Sequence, residues 1–199
     1  PSINASSVKT KEYGKKLCKA LKMTEREYRK ALSKLRKYLD VVEVKMSDKN
    51  WSAIKYEAVP SRANLIYNSA FLRNDEARRR EYLGQLEKGE TKINASTLFP
   101  HDIVHKYTNY GRYIKTKDAT TEALWKALPD TVKGCGNTIV VADGSGSMMT
   151  PVDNNSHVTA LEVANALAIY FAEHSSGQFK DKYITFSERP QFVDFSNCK

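Results

Sequence analysis

The chain of 199 residues has no run of 18 apolar residues, so no segment is expected to span a membrane, and no membrane partner is expected. Its opening, PSINASSVKTKEYGKK, lacks the apolar stretch of a secretory signal. Cysteine is scarce. Cys18, Cys135 and Cys198 are odd in number, far apart and never in a C-x-x-C pair, which excludes a disulfide framework and a cysteine zinc site. Free, buried thiols in a cytoplasmic protein are the expectation, and the sequons at Asn4, Asn94 and Asn154 are then chance matches. Also missing are a phosphate-binding loop lysine, a third glycine that would make GSGSMM a dinucleotide fingerprint, and the G-x-S-x-G elbow of serine hydrolases.

What is present is a respectable apolar fraction, 41%, enough for one large domain or two small ones. Charge is distributed unevenly. Residues 136–199 sum to −3 and residues 1–135 to +12. A basic region of that strength suits a polyanion, nucleic acid above all, although excess lysine also serves solubility.

Periodicity separates the same two regions, 1–135 and 136–199. In the first, TEREYRKALSKLRKYLD opens on Thr24 and Glu27 in capping-box spacing, with Tyr28, Leu32, Leu35 and Leu39 recurring at helical intervals. TKEYGKKLCKALKM before it has Tyr13, Leu17 and Leu21 on one side. SRANLIYNSAFL, with Ser61 as cap, DEARRREYLGQLEKG between Asp75 and Gly89, LFPHDIVHKY with Pro100 in its first turn, and TTEALWKALPD add further helices. An all-α, basic array is expected. After KGCGN the pattern changes: TIVVA reads as a strand, ALEVANALAIYFAEHS as a helix with Leu161, Ala164, Leu167 and Phe171 inward, and KYITFS and PQFVDF as strands. That order predicts an α/β sheet with a parallel pair joined across a helix.

The strand TIVVA ends on Asp143, followed by Gly-Ser-Gly-Ser. In parallel sheets, ligand sites gather at the carboxyl ends of strands. A carboxylate there, with Ser145 and Ser147 at alternate positions and glycines permitting a tight path, brings three oxygens toward one point, a set suited to a hard divalent cation. The alternative is a Gly/Ser turn whose aspartate merely caps the next turn.

VVADGSGSMM, followed by ALEVANALAIYFAEH and YITFS, resembles the opening of a von Willebrand factor A domain with its metal-ion-dependent adhesion motif, Asp-x-Ser-x-Ser. The resemblance implies a Rossmann-like sheet, Mg2+ foremost with Mn2+ or Ca2+ as alternatives, Ser145 and Ser147 as direct ligands, and Asp143 acting through water. It also implies a threonine and an aspartate from two later loops, which the sequence does not reach. Three strands are legible of the about six such a domain has, so a truncated sheet is expected. The implied function is non-enzymatic: the cation holds an acidic group of a protein partner.

Upstream, Trp51, YEAVPS, AFLRNDEARRREYL and LFPHDIV resemble the helical TROVE-type region of Ro-like proteins, and more closely an uncharacterised domain-of-unknown-function family with the same layout. The Ro resemblance implies binding of structured RNA. Candidate phosphate contacts are Arg73, Arg78, Arg79 and Arg80, and Lys30, Lys34, Arg36 and Lys37, set against the alternative of a solvated helix face. Tyr110 and Tyr113, beside Arg112, are candidates for stacking on bases. HDIVH, with His101 and His105 four apart, mimics a zinc hydrolase helix, but Asp102 is one carbon shorter than the glutamate used there and no third ligand is evident.

Overall fold

Hydroxyl caps start the first two helices. The Ser7 side chain accepts the Thr10 N–H ahead of α1 (Val8–Ala20), and Thr24 and Glu27 form the expected capping box ahead of α2 (Glu25–Tyr38). A short α3 (Val42–Ser47) follows. The computed structural model describes residues 3, 7–109, 112–113, 117–133, 136–153 and 156–198, which divide into two compact units, Pro1–Ile54 and Lys55–Lys199.

The first unit has a small core of Ile3, Cys18 and Tyr28, with Leu32 packed against it. Tyr13, Leu17, Leu21, Leu35 and Leu39, expected to point inward, are instead exposed. Two short helices offer each other one narrow seam, too little surface to cover both apolar stripes.

The second unit carries α4 (Ser61–Asn74), α5 (Glu76–Glu87), α6 (Pro100–Val104), a hairpin of β1 (Thr108–Asn109) and β2 (Arg112–Tyr113), and α7 (Ala119–Lys126). Ser61 is not a cap: it is buried and its hydroxyl donates to Asn94 Oδ1 at 3.0 Å. Asp75 does not cap α5 either, because its carboxylate accepts the Tyr56 hydroxyl and an Arg78 guanidinium N–H, each at 2.8 Å. Gly89, at φ 74°, closes α5, and the Glu90 N–H returns to the Gln85 carbonyl.

At the centre of the helical layer lies Arg79, which is 0% exposed. Its guanidinium donates to Asn68 Oδ1 (3.2 Å), Asn64 Oδ1 (3.1 Å) and Thr120 Oγ1 (3.3 Å). Its Cζ lies 4.9 Å from the Tyr56 ring centroid, 5.2 Å from Phe71 and 5.4 Å from Tyr82. Burial pulls its pKa down, opposed by the Tyr56 and Tyr82 hydroxyls and by Asp118, and pushes Tyr82 up to about 12. One cation thereby ties α4, α5, α7 and the Tyr56 turn together.

Chain order then runs β3 (Val140–Asp143), α8 (Ala160–His174), β4 (Lys182–Phe186) and β5 (Gln191–Asp194). The sheet order is β3-β4-β5, with β3 parallel to β4, Asp143 opposite Phe186, and β4 antiparallel to β5. A helix-rich N-terminal region with one short hairpin, followed by a small α/β part, is therefore what the chain forms. Helix α8 packs on α6 on one side and on β3 and β4 on another. Its most buried residues are Glu162, Ala166, Ala168, Tyr170 and Ala172, whereas Leu167, expected inward, is exposed. A helix covered on two sides has no single apolar stripe. Tyr170 belongs to a core shared with Leu65, Ile93, Leu98, Ile103 and Leu124, so residues on either side of position 135 pack as one body. Cys18 is a buried free thiol, but Cys198 is exposed.

Replacing Arg79 with Met should cost about 1–3 kcal/mol in urea unfolding, since it strands the buried Asn64 Oδ1, whereas Asn68 Oδ1 keeps the bond donated by the Thr120 hydroxyl. A loss under about 1 kcal/mol would contradict this role.

Candidate metal centre and basic surfaces

The Asp143 loop leaves the sheet at the carboxyl end of β3. The Gly144 N–H donates to the Phe186 carbonyl at 2.8 Å, prolonging the parallel ladder one residue past the strand. The Asp143 carboxylate turns back over the loop: Oδ1 accepts the Ser145 N–H at 2.9 Å, and the Ser145 hydroxyl also bonds the carboxyl group. Ser145 Oγ lies 3.1 Å from Ser147 Oγ. Residues Gly146–Met149 form one 3-10 turn, fixed by the Met148 N–H to Ser145 carbonyl bond. One carboxylate and two hydroxyls thus form a short chain of oxygens. The backbone and side-chain bonds from Ser145 hold the Asp143 pKa below the ordinary carboxylate value.

The two hydroxyl oxygens fit a hard cation in spacing, and all three groups fit it in kind. Neighbouring ligands of an octahedral Mg2+, each at about 2.0–2.1 Å, lie about 2.9 Å apart, and the two hydroxyl oxygens are separated by 3.1 Å. Among the described residues no group of three or more His, Cys, Asp or Glu side chains could hold a metal. Any ion at this loop therefore rests on one carboxylate, two alcohols and water or a partner's oxygen. The glycines are not required by the backbone: neither Gly144 nor Gly146 has positive φ, and a Cβ would meet nothing closer than 3.7 Å at Gly144 and nothing within 4 Å at Gly146. They leave room beside the oxygens.

The loop rejoins the fold through a Pro151 to Thr159 bridge and the Ala160 N–H to Thr150 carbonyl bond. Thr159 and Glu162 then cap α8 reciprocally. Glu162, 2% exposed, also accepts from the Thr108 hydroxyl and meets His105 Nδ1 at 3.1 Å. Burial pushes its pKa up, but the bonds from Thr108, the Thr159 N–H and His105, with the His105 charge, outweigh it, and the net shift is downward. The T-x-x-E spacing signals such a cap in the sequence, but its links to α6 and β1 are tertiary.

His105 is therefore engaged with Glu162. His101 stacks on Phe99, with ring centroids 5.6 Å apart, and Asp102 accepts the Phe99 N–H at 3.0 Å and Arg62 at 3.2 Å. In HDIVH, Asp102 and His105 are thus held in structural hydrogen bonds, and His101 in a ring stack.

The proposed phosphate contacts fare unequally. Arg79 is corrected: it is enclosed in the core and cannot reach a phosphate. Arg78 pairs with Asp75 at 2.8 Å and Arg80 with Glu76 at 2.8 Å, while Arg73 is exposed. Lys30, Lys34, Arg36 and Lys37 are all exposed on α2. Residues 1–54 carry a net +8, whereas residues 55–199 carry +1. The positive charge is a property of the first unit rather than of the whole helical region. Tyr110 and the side chains of Arg112 and Tyr113 lie outside the described residues, as does Cys135.

Two outcomes check the electrostatics. Ser145→Ala should raise the Asp143 pKa toward its ordinary 3.8 in a carboxyl-detected NMR titration; an unmoved pKa would separate the two groups. Because the folded pKa of Glu162 is depressed, the stability it contributes is present above its ordinary 4.5 and lost as pH falls below that value. Glu162→Gln should flatten this acid limb in thermal melts, and an identical limb in the variant would contradict the assignment.

A family model described as Domain of unknown function (DUF2828) matches residues 3–138, and a second, Domain of unknown function (DUF7788), matches residues 137–199. An uncharacterised protein of Acanthamoeba polyphaga mimivirus is 33% identical over 186 residues, which is 85% of this chain and 30% of that protein. The chain thus spans under a third of that relative's length. No solved structure matches. Neither family description names a von Willebrand factor A or Ro protein. Over residues 3–138, the greater part of its length, the chain belongs to the DUF2828 family.

Proposed function

We propose that the protein is a non-enzymatic binding module in which Asp143, Ser145 and Ser147 hold a divalent cation, Mg2+ in the first instance, that accepts an acidic group of a protein partner. The observation that carries this reading is the convergence of the Asp143 carboxylate and the two hydroxyls at the carboxyl end of a parallel strand. A von Willebrand factor A-like ancestry agrees with the strand, loop, helix, strand order. The ion, when bound, supplies a Lewis-acidic position for an external carboxylate. The chain's own part is to fix the three oxygens: the Ser145 N–H orients Asp143, and the 3-10 turn brings Ser147 beside Ser145.

Asp143→Ala should weaken Mn2+ binding, followed by electron paramagnetic resonance, at least about tenfold, the scale of losing one charged ligand. The carboxylate is only partly buried and, among the described residues, bonds only within its own loop, so the melting temperature should hardly move. Equal Mn2+ affinity in the variant would remove the reading.

A second reading, RNA retention by the basic helical region in the Ro manner, is favoured by the +8 on residues 1–54. It rests on Lys30, Lys34, Arg36 and Lys37, with Arg73 as a separate exposed cation. Charge reversal at Lys30, Lys34 and Lys37 should flatten the salt dependence of RNA affinity by about 0.7 in log–log slope for each phosphate no longer neutralised. An unaltered slope would count against this surface.

A further inference from the structure

The first unit presents more than charge. Along α2, Tyr28, Leu32, Leu35 and Leu39 follow one another at four, three and four residues, a single helical face. The N-terminal half of that face is used: Tyr28 is in the core and Leu32 packs on it. The C-terminal half is not. Leu35 is 54% exposed, Leu39 66% and the neighbouring Tyr38 86%. On α1 and its C-terminal turn, Tyr13, Leu17 and Leu21, spaced by four, are exposed as well. On the flanks and the opposite side of α2 stand Arg26, Arg29, Lys30, Lys34, Arg36 and Lys37, all exposed.

The two features have to be explained together. A nucleic acid explains the cations and leaves Leu35 and Leu39 idle, because phosphate contacts need no aliphatic surface. A helix whose polar face is Lys/Arg-rich and whose other face carries leucine and an aromatic, with little net hydrophobicity, matches the interface of a bilayer, where side chains bury apolar surface at the headgroup boundary and cations meet anionic lipid. Such a helix lies on the surface. It requires no spanning segment, and none of the helices among the described residues is long and apolar enough to cross a membrane. We infer that the α1–α2 unit docks peripherally on an anionic lipid surface, with Leu35, Tyr38 and Leu39 entering the headgroup boundary and the α2 cations above them. This departs from the expectation of no membrane partner drawn from hydropathy, which registers spans and not surface helices.

Cosedimentation of the full chain with mixed phosphatidylcholine–phosphatidylserine vesicles, and with phosphatidylcholine vesicles alone, tests it. Retention is expected on the mixed vesicles only, falling with salt. The double variant L35S/L39S, altered at exposed positions so that its circular dichroism and melting should be preserved, is expected to partition at least about tenfold more weakly. Charge reversal at Lys30, Lys34 and Lys37 should also release the protein. Absence of binding to the mixed vesicles overturns the inference, and so does binding that L35S/L39S leaves unchanged, which would make the surface a general polyanion site. A homopolymeric RNA bound equally by wild type and L35S/L39S, without vesicle binding, would assign the surface to nucleic acid. Concentration-dependent self-association abolished by L35S/L39S, again without vesicle binding, would assign it to a second copy of the chain.

Discussion

The bond from the Gly144 N–H to the Phe186 carbonyl is the one on which the candidate site depends. It carries the parallel pairing of β3 and β4 one residue past the strand, so the chain must turn at a defined height above the sheet. Everything beyond follows by short-range chemistry: the Asp143 carboxylate caps Ser145, the 3-10 turn sets Ser147 beside Ser145, and the Pro151 to Thr159 bridge delivers the chain to the cap of α8. Parallel pairing needs a crossover, and α8 is that crossover. The site is the place where a strand, a turn and a helix start must meet.

The crossover helix is also what joins the α/β part to the helices before it. Tyr170 shares a core with residues of α4, α6 and α7, and its hydroxyl bonds the Pro129 carbonyl and the Thr131 N–H. Glu162 at the other end of α8 binds His105 and Thr108. The buried Arg79 does the same work inside the helical layer. Its charge is balanced by neutral oxygens, three aromatic faces and a more distant Asp118 rather than by a direct carboxylate, which leaves it inside the protein and out of reach of any anion.

Most local signals survived into the structure, the cap expected at Ser61 excepted, and tertiary ones did not. The Thr24–Glu27 box, Pro100 in the first turn of α6, Gly89 after α5, and the β-branched run before Asp143 each depend on neighbours within a few residues, and each element formed where the sequence placed it. The convergence of Asp143, Ser145 and Ser147 was legible for the same reason. Burial was not. Arg79 reads as one of three consecutive arginines, and only the facing of Asn64, Asn68 and Thr120, up to 41 residues away, makes it a core residue. Leu35 and Leu39 read as core because helical spacing shows a face without showing whether a partner exists to cover it. The apolar pattern of α8 failed in the opposite sense, since two layers cover it and Leu167 falls between them.

Charge and site lie in different units: nearly all of the net positive charge is in residues 1–54, and the oxygen cluster is in the unit beginning at Lys55. The proposed cation site and the basic surface thus belong to separate units of the chain. The most direct test of the central claim is a Mg2+ titration followed by amide NMR on the wild-type protein. Saturable shifts concentrated on residues 143–150, with the Ser145 and Ser147 amides among the largest, are predicted. Shifts spread over surface carboxylates without saturation, or none in that loop, would contradict it.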